Sequence, residues 1–179
     1  RKLLGPPYWA LSVVIWIFIW FGMFGYLGTR IHENGHAVTC WAFGIPWSDI
    51  HIRYGAFGTS GGTDCLGLPY PSFRFAIVSY AGGFSAAVAD LGFYGVLFWF
   101  LQARNKFFIV GGLVLMWLAA FELANGIIEG VAHGWYLANL GMAAILCVLA
   151  GFVGSLFHLY FICSEHPTRI LPWQRKSLW

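Results

Sequence analysis

The sequence predicts an all-α polytopic membrane protein of about four transmembrane helices, with a small β-hairpin inserted between the first and the second. Of the 179 residues, 59% are hydrophobic and only 9% are charged, whereas a water-soluble domain carries roughly 25% charged residues. The length suits one membrane-embedded domain, residues 1–179, with four or five crossings of ~20 residues each. The net charge of +3 is too small to indicate a nucleic-acid partner. The predicted partner is the lipid bilayer, and the predicted localisation is integral and multi-pass.

The first predicted span, about 8–43, is an apolar run that follows Pro6 and Pro7 and contains only isolated glycines. Proline can open a helix but cannot sit in its interior. As a helix this run would be ~54 Å long, which exceeds the thickness of a bilayer core. We therefore expect one long or kinked helix, ended by Gly44-Ile45-Pro46.

A hairpin is predicted at about 47–63. Apolar and polar residues alternate from Trp47 to Tyr54, which is the period of a strand. The next segment is rich in glycine, and Gly61-Gly62 is its strongest turn signal. His51 falls on the polar face of the strand, where an ordinary exposed histidine is favoured over an accessory metal ligand.

The remaining chain predicts three more spans and a polar tail. Small residues open the second span, as in closely packed membrane helices, and Asp90 lies in its middle. Polar residues and glycines are interleaved from Glu122 to His133, and this pattern favours a broken helix that lines a cavity. The predicted spans are about 72–101, 107–128 and 135–162, and the tail is 164–179.

The cysteines predict neither a disulfide scaffold nor a structural zinc site. They form no C-x-x-C pair, and three of the four fall in apolar helical stretches, where a thiol behaves as a small hydrophobe. The four residues are Cys40, Cys65, Cys147 and Cys163.

The motif His32-Glu33-Asn34-Gly35-His36 carries the candidate chemistry. Histidines four residues apart on a helix share one face, so both imidazoles can reach one metal ion. The adjacent Glu33 can act as a general base towards a water that the metal acidifies. Three protein ligands and one open position form a catalytic zinc site, so Zn²⁺ is the predicted cofactor.

The order of features resembles the site-2 protease (M50) family of intramembrane zinc metalloproteases, over about residues 28–134. The motif resembles the family's HExxHA helix, and the Gly61-Gly62 pair resembles the end of its hairpin. A run of small residues resembles the entry to its next core helix, although Gly83 stands where the family usually has proline. That run is Tyr80-Ala81-Gly82-Gly83-Phe84-Ser85-Ala86.

The resemblance also implies the third metal ligand and an oxyanion-stabilising residue. The family carries an asparagine followed eight residues later by Asp-Gly, and here Asn125 precedes His133-Gly134 at that distance. His133 is therefore favoured as third ligand, and Asn125 would donate a hydrogen bond to the substrate or the oxyanion. Glu129, which is also followed by glycine, is the main alternative. Asp90 and Glu122 are the others.

The predicted function is that of a membrane-embedded zinc metalloprotease hydrolysing peptide bonds of transmembrane substrates. The alternative is a non-catalytic subunit of the same fold, with membrane-complex subunits as its partners. A third possibility makes histidines ligands of haem or di-iron. It is disfavoured because only two of the six histidines have close helical spacing. Its ligands would be His32, His36, His133 and His158.

Charge distribution predicts the orientation. With four spans, one side of the membrane carries seven Lys and Arg residues and the hairpin side carries three. The positive-inside rule then places the N-terminus in the cytoplasm and the hairpin outside. The resemblance implies a metal site towards the cytoplasm, so the two expectations disagree. The seven are Arg1, Lys2, Arg104, Lys106, Arg169, Arg175 and Lys176, and the three are Arg30, Arg53 and Arg74.

Overall fold

The computed structural model describes residues 6–19, 25–55, 60–100, 106–132 and 140–163. The chain is mostly helical and includes one small antiparallel sheet of two strands. The predicted tail, 164–179, lies outside the described residues. The elements are α1 (Pro6–Ile19), α2 (Gly25–Ala42), β1 (Ile50–Tyr54), β2 (Gly61–Cys65), α3 (Phe73–Gly95), α4 (Lys106–Ala132) and α5 (Leu140–Cys163).

Within the described residues, three helices are long and apolar enough to cross a membrane. Their apolar stretches agree with the second, third and fourth predicted spans. The described parts of the predicted span 8–43 are α1 and α2, and its middle, 20–24, is outside the described residues. The three stretches are Phe73–Trp99, Phe107–Val131 and Gly141–Ile162.

Helix α3 packs closely against both α2 and α4 through small residues. A Cβ atom on Gly83 would overlap the backbone of Gly126, and one on Gly35 would lie 2.8 Å from the carbonyl oxygen of Ala81. Backbones that approach this closely require glycine, as the run of small residues predicted. The predicted break near Glu122 is wrong, because α4 continues to Ala132 and its glycines serve packing instead.

His158 belongs to an apolar cluster at the end of the helical bundle remote from the hairpin. The side chain is fully buried. Its Nδ1 accepts a hydrogen bond from the Tyr94 hydroxyl at 2.9 Å, and its Nε2–H donates to the Ile109 carbonyl at 3.0 Å. Both ring nitrogens are therefore satisfied, which leaves neither for a metal and argues against the haem or di-iron hypothesis.

The hairpin is tied to α2 by a disulfide between Cys40 and Cys65, whose Cα atoms are 6.3 Å apart. The prediction that these cysteines form no disulfide is wrong. They are 25 residues apart, and only the packing of β2 against α2 brings them together. The predicted turn at Gly61-Gly62 is also wrong, since both residues belong to β2 and pair with Tyr54 and Arg53.

Candidate metal centre

Helices α2 and α4 bring two histidines and one carboxylate together. His32, His36 and Glu129 each offer a ligand atom, and these atoms all lie within 4.8 Å of one another. Glu129 Oε2 lies 3.1 Å from His32 Nε2 and 3.4 Å from His36 Nε2. Two imidazoles and one carboxylate form a ligand set that zinc uses in catalytic sites. The paired histidines of the motif thus converge as their spacing predicted.

The other nitrogen of each imidazole faces a partner that orients the ring. His32 Nδ1 lies 3.0 Å from Glu122 Oε2, and His36 Nδ1 lies 2.6 Å from the carbonyl oxygen of Val78. Histidines that bind zinc commonly donate this second N–H to a carboxylate or a backbone carbonyl, which fixes the tautomer and the ring orientation. Glu122, an alternative third ligand in the sequence, therefore lies behind His32 rather than beside the ligand group.

Gly82 of α3 provides the space in which the two imidazoles meet. A Cβ atom at this position would overlap His36 Nε2 and would lie 2.7 Å from His32 Cδ2. A side chain at Gly82 would thus occupy the volume that the two rings require. This cradle, the convergent donor atoms and the oriented nitrogens all fit a bound metal ion.

Glu33 follows His32 in α2 and is buried, but it does not belong to the ligand group. The side chain is 5% exposed, and its Oε2 accepts a hydrogen bond from the Thr63 hydroxyl at 2.8 Å. A Cβ atom on Gly61 would lie 2.6 Å from Glu33 Oε1, so β2 closes over the carboxylate at a residue without a side chain. This arrangement suits a general base, which must be held in place and stay out of the coordination shell.

The other predicted site residues have different positions. His133 lies outside the described residues. Asn125 donates its amide N–H to Glu129 Oε1 at 3.2 Å and so holds the Glu129 carboxylate, and its predicted oxyanion role stays a prediction. Asp90 is buried eight residues after Gly82, about 12 Å farther along α3. His51 is exposed on β1 opposite Asp64, as expected of an ordinary strand histidine.

The supporting roles of several residues were not predicted from the sequence, although the spacing of the polar residues in α4 indicates some of them. Glu122, Asn125 and Glu129 are spaced by three and four residues, which places them on one face of an unbroken helix. Because the sequence predicted a broken helix for this segment, the three residues were not placed on a common face. Thr63 and Gly82 carried no comparable signal, since their roles depend on contacts between distant elements.

Comparisons with protein families, with curated proteins and with solved structures found no match for this chain.

Proposed function

We propose that this protein is a membrane-embedded zinc metalloprotease that hydrolyses peptide bonds of transmembrane substrates. The observation that carries the proposal is the convergence of His32, His36 and Glu129 beside a buried Glu33 that is held by Thr63. These are the components of metal-assisted hydrolysis: three ligands and a positioned base. The resemblance of the motif to the site-2 protease family supports the same activity.

In the proposed site, His32, His36 and Glu129 hold the zinc ion, and Glu122 and the Val78 carbonyl keep both imidazoles in their binding orientation. The bound ion would act as a Lewis acid that polarises the scissile carbonyl and acidifies water. Glu33 accepts the proton of the attacking water and returns it to the leaving amine. The Thr63 hydroxyl holds Oε2 of Glu33, and Gly61 packs against Oε1, so β2 keeps the carboxylate in place for this transfer.

The hairpin offers a strand edge to which a substrate peptide can bind. Its sheet has two strands, so within the described residues each strand has one edge without a strand partner. An exposed strand edge binds an extended peptide through backbone hydrogen bonds. Because β2 covers Glu33, a peptide added to this sheet would lie beside the proposed base. A helical substrate would have to unwind locally to bind in this way.

The orientation that we propose places the metal centre towards the non-cytoplasmic side. The Cys40–Cys65 disulfide lies at the hairpin end of the bundle, and disulfides persist in oxidising compartments. With the four spans that the sequence predicts, the distribution of Lys and Arg also favours a hairpin outside the cytoplasm. Two unrelated properties, redox chemistry and charge, therefore favour the same orientation over the one implied by the family resemblance.

The proposal is tested with the purified full chain in detergent, by zinc content and by cleavage of transmembrane peptides. We expect about one zinc per chain. Glu33→Gln should retain zinc because its amide oxygen can still accept from Thr63, while turnover should fall by about 10²–10⁴-fold. His36→Gln should lose the zinc. His51→Gln is the matched control, because His51 is exposed on the hairpin.

Three outcomes would contradict the proposal or one of its parts. Wild-type protein without zinc would exclude the metal centre. Zinc binding without cleavage of any membrane peptide, together with stoichiometric co-purification of other membrane proteins, would favour the non-catalytic subunit. Full activity of Glu33→Gln would refute the assigned base.

A further inference from the structure

Arg30 on α2 is a rigidly held cation that has no acidic partner among the described residues. Its guanidinium carbon lies 4.4 Å from the centre of the Tyr26 ring and 4.6 Å from that of Tyr54. Two aromatic rings thus fix the planar group by cation–π contact. The ion pairs of the described residues involve other basic side chains. A cation ordered in advance loses little entropy when an anion binds to it.

The buried Nε atom of Arg30 destabilises the folded protein because its hydrogen-bonding capacity is unsatisfied. Among the described residues it is the buried side-chain polar atom that has no hydrogen-bond partner. An unsatisfied buried donor on a charged group costs free energy that a nearby anion can offset. A charge at membrane depth normally has a functional partner as well. The arrangement indicates a ligand that supplies negative charge.

Arg30 borders a shallow groove with a volume of about 380 Å³ that runs along α2 and reaches Ser85 of α3. Leu27 and Ile31 line this groove and remain 44% and 38% exposed, so their side chains would face lipid. Towards the hairpin the lining also includes the polar residues Asn34 and Thr39. The groove therefore combines exposed apolar side chains, Val38 among them, with one cation and several polar groups, which are the groups that a phospholipid's acyl chain, phosphate and headgroup would contact.

The depth of Arg30 fits a lipid phosphate. A Cβ atom on Gly28, two residues before Arg30, would lie 3.7 Å from the carboxylate of Glu122. The apolar stretch of α4 ends nine residues beyond Glu122, at Val131. At 1.5 Å per residue, Arg30 then lies about 10 Å inside the end of that stretch. The guanidinium contacts Tyr54 of β1, so it lies towards the hairpin and therefore towards the headgroup region.

We propose that this groove binds an anionic phospholipid, with the lipid phosphate on Arg30 and an acyl chain along Leu27 and Ile31. An anionic lipid is favoured over a zwitterionic one because the ammonium group of the latter partly cancels the attraction between the phosphate and Arg30. The proposal uses no atom of the metal centre, so it stands or falls independently of the proteolytic function.

The test is native mass spectrometry of the full chain in detergent with added phosphatidylglycerol. Arg30→Met should weaken phosphatidylglycerol binding by about 10-fold or more, since a charged hydrogen bond is lost. Arg30→Lys should stay within a few-fold of wild type because it keeps the charge. Arg74→Met is the matched control, since Arg74 is exposed and contacts the Phe43 ring instead.

Measurements on the wild type alone keep the proposal open to refutation if Arg30→Met does not fold. Phosphatidylglycerol should bind at least several-fold more tightly than phosphatidylcholine or diacylglycerol. Equal binding of these three lipids would overturn the proposal. Displacement of phosphatidylglycerol by inorganic phosphate at equal concentration would also overturn it, because the ligand would then be free phosphate.

Discussion

Replacing Gly82 by alanine tests the geometry of the metal centre most directly. The new Cβ atom would lie 2.7 Å from His32 Cδ2, whereas ordinary contacts begin at 3.4 Å. The imidazole would have to move by about 0.7 Å, and the overlap with His36 Nε2 is more severe. Ligand distances in zinc sites are satisfied only within about ±0.2 Å. The displacement therefore exceeds the tolerance of the site.

We expect Gly82→Ala to weaken zinc binding by about 100-fold or more, since displaced ligands cost more than the 10–100-fold typical of altered supporting residues. The assay is a competition titration with a chelator of known affinity, on purified protein in detergent. Gly92→Ala is the matched control. It lies on the same helix, and its Cβ would have nothing within 4 Å.

Gly92→Ala should bind zinc as the wild type does. It should also stabilise the helix by about 1 kcal/mol, because alanine has the higher helix propensity, and thermal unfolding would detect the gain. Wild-type zinc affinity in Gly82→Ala would refute the proposed convergence of the two imidazoles. Equal loss of zinc in both variants would show that α3 tolerates no substitution, and the steric argument would fail.

Two further predictions concern the support of the site. Glu122→Ala should weaken zinc binding by about 10–100-fold without changing the stoichiometry, because His32 loses the partner of its Nδ1. Unchanged zinc affinity in the same chelator titration would contradict this role of Glu122. Replacing Cys40 and Cys65 by serine should lower the free energy of unfolding by about 3–4 kcal/mol, as expected for a disulfide that joins residues 25 apart. Denaturant unfolding measures the loss, and the wild type should show the same loss under reducing conditions but none under oxidising conditions.

The sequence by itself determined the features that depend on local pattern. Apolar runs predicted the stretches of α3, α4 and α5. The alternation of Trp47–Tyr54 predicted the hairpin, whose two-stranded antiparallel sheet is confirmed. The predicted start of its first strand is wrong, because Trp47–Asp49 form a 3-10 helix and β1 begins at Ile50. The spacing of His32 and His36 predicted that their imidazoles would meet, because one turn of a helix brings residues four apart onto one face. Each of these inferences needs only the geometry of a single element.

Tertiary structure alone decided what depends on two elements meeting. Glu129 of α4, which the sequence offered as an alternative ligand, meets His32 and His36. Cys65 of β2 reaches Cys40 of α2, although the sequence predicted no disulfide. The role of a glycine could not be predicted from the sequence for the same reason. Gly61 suggested a turn, whereas in the structure its missing side chain leaves room for Glu33. A glycine that permits close approach and one that permits a turn look identical in a sequence. Only the position of the neighbouring element distinguishes them.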